Sequence, residues 1–181
     1  CAGLIFGTSM AGGPDSSGYP NQAGLFWEGR TSADLRLLQQ HATGDLVLKI
    51  DSDTLLMRWP EVFSQENVIA MGIWVTRMDG MEGSAYALRT ASLSEMIARA
   101  DALPSSGHYL EDRTVGQLAL DCGPCHLPVY GKDRSKYTTW RPERMQPPEW
   151  YRENHDVVIF PRIEPHHQRP QTAAAMATFF S

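Results

Sequence analysis

Asp51 and Asp53, separated by Ser52, follow the apolar run Leu46–Ile50 without a break. In an extended chain residues i and i+2 point the same way, so both carboxylates leave one face together. Two ionised carboxylates side by side repel and disturb each other's titration unless a cation lies between them. All-oxygen ligation suits Mg²⁺ or Mn²⁺, and such an ion can in turn hold a diphosphate. A plainer reading stands beside this one: Asp53 before Thr54-Leu55-Leu56 also fits a turn, or the N-cap of a following helix.

The elements that must position these groups follow from periodicity. Leu46–Ile50 reads as a strand buried on both faces. Residues 31–42 form a helix with Ala33, Leu35, Leu37, Leu38 and Ala42 approximating one face, Thr31 or Ser32 as cap and Thr43-Gly44 as its end. That α-then-β step is typical of an α/β sheet, where ligands bind outside the carboxyl ends of strands. A short strand is expected at 4–6, before Gly7 and a Gly-, Ser- and Pro-rich loop at 11–18. After the carboxylates Pro60 breaks any short helix. Residues 68–75 read as another strand, with a turn at 80–84. Ser92 and Glu95 form a capping-box pattern for a helix over 92–102. A further helix spans 114–120, opened by Asp112 and closed near Gly123. Beyond Val129 the chain is polar and rich in proline (Pro142, Pro147, Pro148) and reads as an irregular surface segment, before a strand at 157–160 and a short helix at 173–180.

The chain of 181 residues is long enough for one domain with its own core, and it reads as a single domain over 1–181. A net charge of -5 gives no general attraction for nucleic acid or acidic membrane surfaces. No run approaches the roughly 20 apolar residues of a membrane span. Three cysteines do not make a disulfide framework and fit a reducing compartment, which places the protein in the cytoplasm.

The order of segments resembles the metal-dependent glycosyltransferases of the GT-A fold, most closely the galactosyltransferase- and Fringe-like group. In that group a buried strand ends in Asp-x-Asp, as Leu48-Lys49-Ile50-Asp51-Ser52-Asp53 does here. A Gly-rich segment with a tyrosine then lies under the sugars; Gly83-Ser84-Ala85-Tyr86 corresponds to it. A Glu-Asp pair opening a helix matches Glu111-Asp112, and a histidine near the C-terminus matches His166 or His167. The resemblance covers most of residues 44–123 and, more loosely, 157–168.

It implies an α/β fold of GT-A type (the nucleotide-diphospho-sugar transferase architecture), a three-layer sandwich around a central mixed sheet. It also implies transfer of a hexose from a nucleotide sugar, a UDP-sugar, to the hydroxyl of a glycan or other acceptor. Asp53 would bind the metal directly, and Asp51 would reach the metal or the ribose. A histidine ligand tilts the choice from Mg²⁺ towards Mn²⁺; adjacent residues point apart, so one of His166 and His167 would serve. Asp112, beside Glu111, would be the general base of an inverting reaction, although as it stands it is also a good N-cap. Ser52, Gly83 and Ser84 would border the donor, with glycine allowing close backbone approach. Lys49 and Arg113 could offset local negative charge but read first as solvated side chains, and Trp59, Trp74 and Tyr86 as packing residues that could stack on a sugar.

Members of this fold carry a longer donor-binding segment before Asp-x-Asp than the fifty residues found here. The domain is therefore expected to be minimal, or N-terminally short of part of that half. Related nucleotidyltransferases want a basic residue in the first glycine-rich loop, and Gly7 to Gly13 has none. Two other classes remain: a non-catalytic sugar- or metal-binding module, and a thiol–disulfide oxidoreductase using Cys122-Gly123-Pro124-Cys125. The latter pattern needs its first thiolate at a helix N-terminus. Here an apolar helix precedes the motif, no strand leads directly into it, and it reads as a helix-ending turn with two incidental thiols.

Overall fold

The computed structural model describes residues 3–6, 30–51, 54–76, 79–103, 111–129, 137–140, 146–160 and 174–179. Strand β1 (Gly3–Phe6), helix α1 (Arg30–His41) and strand β2 (Leu46–Ile50) come where the hydrophobic pattern places them. The expected loop at 11–18 lies outside the described residues. β2 pairs with β1 in parallel, Leu4 opposite Leu48, and with β7 (Ala85–Arg89) antiparallel, Ile50 opposite Ala85. With β4 (Ala70–Met71) and β8 (Cys125–His126) these make a mixed sheet in the order β1-β2-β7-β4-β8.

Alternation along β2 divides the core in two. Val47 packs with α1, α2 (Leu93–Asp101) and α3 (Glu111–Cys122), through Leu35, Met96 and Val115. Leu48 and Ile50 face the other way, onto Phe63, Ile73, Tyr137 and Val157. The unbroken apolar run is thus covered on both faces, as expected. Of the face expected on α1, Leu35 and Leu38 are buried, whereas Ala33 and Leu37 are exposed.

A second sheet, in the order β3 (Thr54–Leu56), β10 (Val157–Ile159), β9 (Tyr137–Thr139), covers the face away from α1–α3. β10 alternates too: Val157 faces the central sheet, while Val158 and Phe160 pack with Trp140, Tyr151 and Phe179. Helix α4 (Pro148–Asn154) supplies Tyr151, with Pro148 at its first turn, where a missing N–H leaves no bond unmade. The expectation of an irregular segment beyond Val129 is therefore corrected at 137–139 and 148–154, while 130–136 and 141–145 lie outside the described residues. Burial of Tyr137, Trp140 and Tyr151 orders β9 and α4 despite the prolines around them. Tyr137 also joins the two sheets, its hydroxyl donating to Ala85 O at 3.0 Å. Tyr137→Phe strands that buried carbonyl and should cost about 1–3 kcal/mol, read as a lower midpoint in urea with an unchanged slope.

Two further expectations give way to tertiary contacts. The single strand at 68–75 is two, β4 and β5 (Trp74–Val75), parted at Gly72, where a Cβ would come 3.0 Å from Met81 Sδ. β5 leaves the central sheet's ladder to pair with β6 (Gly80–Met81). Nor does the capping box form: Ser92 Oγ donates to Arg89 O at 2.7 Å, and Glu95 pairs with Arg99. The chain enters α2 through a 3-10 turn at Thr90–Ser92 instead.

Candidate active site

The carboxyl ends of β1, β2, β4 and β8 share an edge with the start of the antiparallel β7. Asp51 stands on that edge. Its N–H donates to Ser84 O at 2.9 Å, which carries the β2–β7 ladder one residue further. Two of the residue groups singled out in the sequence, 51 and 83–84, are thus in direct contact. Residues two apart in a strand share a face, so Lys49 lies on the side of Asp51. Its Nζ is 2.8 Å from Asp51 Oδ1, donates to Gly83 O, and lies 5.4 Å from the centroid of the Tyr86 ring. Lys49 and Asp51 side chains are 17% and 24% exposed, so the pair is partly desolvated yet reachable. Of the two readings of Lys49, the solvated side chain is corrected and the offset to negative charge holds: it clamps the strand end to the Gly-rich turn.

Glu82, which belongs to no motif in the sequence, holds the turn from within. Ser84 Oγ donates to Glu82 Oε1 at 2.8 Å, and Glu82 N–H donates to Ile73 O at 2.7 Å. Ser84 is buried and its hydroxyl already engaged. Tyr86 is buried in the core and out of reach of a sugar; Trp59 is exposed, edge-on to Phe63, and Trp74 is half-buried.

Helix α3 starts from the same edge and returns through Gly123 to β8. Its first half is seated on β6 through two glycines. A Cβ at Gly80 would fall 2.6 Å from Arg113 Cα, and one at Gly116 would fall 3.0 Å from Met81 N. Only hydrogen at both positions lets helix and hairpin touch backbone to backbone. Arg113 is exposed, its guanidinium 3.6 Å from the exposed Asp79 carboxylate, a pair that adds little. Glu111 and Asp112 precede Arg113 in the first turn, beside the hairpin that runs into 83–84; their side chains lie outside the described residues. The helix begins at Glu111, so Asp112 is inside it and not its N-cap.

Residues 54–56 form a strand, which removes the reading of Asp53 as the cap of a following helix. Ser52, Asp53, His166 and His167 lie outside the described residues, so Asp51 is the one expected ligand that the structure describes. Among the described residues no three His, Cys, Asp or Glu side chains converge. Asp51 offers a partly exposed carboxylate, the donor type a hard cation takes, and Lys49 is already on its Oδ1. Nearby, the Thr54 hydroxyl is buried with no hydrogen-bond partner among the described residues, a state that a polar ligand at this strand end would relieve.

The chain superposes on a solved glycosyltransferase, one "involved in the glycosylation of the major capsid of PBCV-1", with a TM-score of 0.53. The match covers 86% of this chain and 78% of that one, at 10% sequence identity. The fold is glycosyltransferase-like. At this identity the likeness is one of architecture. No protein-family model matches the sequence, and no curated protein does.

Within this glycosyltransferase-like fold the Cys122–Cys125 motif closes α3 and opens β8. Both thiols are free, and both are half-buried. Burial, then the Glu95 carboxylate, pushes the Cys122 thiol up; burial, above all, pushes Cys125 up to about 11. A helix C-terminus opposes a thiolate, whereas redox-active pairs place theirs at an N-terminus. The geometry therefore disfavours the oxidoreductase reading. Iodoacetamide should label Cys125 slowly at pH 7, with a rate still rising between pH 9 and 10; a plateau by pH 8 contradicts the assignment. The sign for stability is the same: the folded state favours the protonated thiol. That contribution is intact below the ordinary thiol value of about 8.5 and lost as pH climbs towards about 11.

Among the described residues no helix is long and apolar enough to cross a membrane.

Proposed function

We propose that this chain is a metal-dependent glycosyltransferase of the GT-A, galactosyltransferase/Fringe-like kind, moving a hexose from a UDP-sugar to an acceptor hydroxyl with inversion. The observation that carries the reading is the bond from Asp51 N–H to Ser84 O at the carboxyl edge of the sheet, in a fold shared with a glycosyltransferase. It joins the end of the buried strand to the Gly-rich turn, so that a donor held by one lies against the other. Asp53 would hold a Mn²⁺ or Mg²⁺ ion directly, with Asp51 reaching the ion or the ribose, and one of His166 and His167 adding a nitrogen ligand. When bound, the cation supplies positive charge for the departing diphosphate.

The chain's own groups do the rest. Gly83 and Ser84, both buried, would back the sugar from the turn beneath it, with Ser52 at the diphosphate. Asp112 takes the proton of the acceptor hydroxyl, and Glu111 lies next to it at the helix mouth. A base in the first turn of α3 fits the seating of that helix on β6, since the reacting hydroxyl needs a partly desolvated carboxylate within hydrogen-bond reach. The free Cys122 and Cys125 agree with a reducing compartment, the cytoplasm. A panel of UDP-sugars, with Mn²⁺ and with EDTA, tests the reading through release of UDP. Release from at least one donor, abolished by EDTA, is expected; no release from any hexose donor contradicts it, and UDP binding without release favours a binding module.

A further inference from the structure

We propose that Glu82 is a positioning residue for the sugar donor: its carboxylate takes the hydroxyl and the main-chain N–H of Ser84, and so sets the turn on which the sugar would rest. The inference rests on the reading of residues 83–84 as the donor's border. It also changes what Ser84 does there. The Ser84 hydroxyl is given to Glu82 Oε1 at 2.8 Å, and the N–H of the same residue lies 3.4 Å from that oxygen. Ser84 is buried, so its side chain is an internal latch. Its carbonyl, which takes Asp51 N–H at 2.9 Å, is the part turned to the strand end.

Both ends of the turn are pinned by other bonds. At the entry Glu82 N–H donates to Ile73 O at 2.7 Å, and Ile73 is buried. At the exit Ala85 O accepts from the buried Tyr137 hydroxyl at 3.0 Å. Burial, with the charge of Glu82 adding to it, pushes that phenol up, which puts the carboxylate near the inner side of the turn. Between these ends lies the peptide joining Gly83 to Ser84, and glycine leaves such a unit free to rotate. It is held at both polar ends: Lys49 Nζ donates to Gly83 O, while Ser84 N–H points to Glu82. Lysine reaches it on a long stem, whereas Glu82 is two residues away on the same loop and restrains it closely. A turn already in its bound shape reduces the cost of ordering on binding. Contacts that are the same in bound substrate and transition state act on KM. Asp51 keeps its own place through the β2–β7 ladder, so kcat should change little.

The test is steady-state kinetics with the best UDP-sugar donor, at a temperature where every variant is fully folded. Glu82→Ala should raise the donor KM about tenfold, the weight of one hydrogen bond to a charged group, with kcat within about threefold of wild type. Ser84→Ala should match it, and the double variant should be no worse than either single one, because all three remove the same contact. Glu82→Gln keeps an acceptor oxygen at the same place and should hold KM within about threefold of wild type. Glu82→Gln as impaired as Glu82→Ala overturns the inference, since the charge and not the latch would then matter. Losses that multiply in the double variant overturn it as well. So does a lower Tm with an unchanged KM, the mark of a merely structural contact. If Glu82→Ala does not fold, Ser84→Ala and Glu82→Gln carry the same expectations and the same contrary results. Wild-type protein that releases UDP from no donor overturns the glycosyltransferase reading first, and this inference with it.

Discussion

Asp51→Asn is expected to lower kcat/KM for sugar transfer by about 10²–10³-fold, because a neutral amide holds less firmly the cation that would offset the charge on the departing diphosphate. Asparagine keeps the size of the side chain and an oxygen for Lys49, while the bond from residue 51 to Ser84 O belongs to the main chain and survives. Folding should therefore be nearly unaffected, and the loss should fall on kcat, because a cation held here would matter most as the diphosphate departs. Steady-state kinetics with the best donor, beside a thermal melt, separates the two effects. Wild-type turnover in a folded Asp51→Asn protein is incompatible with a role for this carboxylate.

Gly80→Ala should act away from Asp51 and still lower sugar-transfer turnover. The new Cβ would lie 2.6 Å from Arg113 Cα, a main-chain atom that cannot rotate away. Either the 79–81 hairpin or the first turn of α3 must move. Overpacking of this kind costs about 1–3 kcal/mol, which for a chain of this length corresponds to a fall of roughly 2–12 °C in Tm. Because Glu111 and Asp112 ride on that turn, turnover should fall further than stability alone explains, at a temperature where the variant is fully folded. A variant with wild-type Tm and wild-type turnover would mean that the seating of α3 on β6 is loose and does not position the base.

The parts of the fold legible in the sequence are those with a long, strongly patterned signal. β2 is a pure apolar run, and helices α1 to α3 repeat their buried residues at helical spacing, so their existence follows from periodicity and only their ends shift. Of the second sheet, the apolar run at 157–160 is legible as β10, whereas β3 and β9 are three residues each, too short for a period to show. Their order comes from distant partners, such as Tyr137 bonded to Ala85 fifty-two positions back. Gly72 divides the 68–75 run for a reason that lies in Met81, and Ser92 looks like a cap until Arg89 offers its carbonyl. In the site, Asp51 and the 83–84 turn were identifiable because each belongs to a local motif. Lys49 was within reach of the same reasoning: strand alternation puts residues 49 and 51 on one side, and a buried-side lysine beside a carboxylate pairs with it. Glu82 was not, since its role depends on where the turn folds.

The most direct measurement of the central claim is a thermal melt with UDP and Mn²⁺, singly and together, in wild type and Asp53→Ala. Stabilisation by a ligand at 100 times its Kd is about 2.7 kcal/mol, which here amounts to roughly 5–11 °C. That shift should appear in wild-type protein only when nucleotide and cation are both present, and should vanish in a folded Asp53→Ala. A shift that UDP produces equally with EDTA, or that Asp53→Ala retains in full, would contradict a cation gripped at the end of β2.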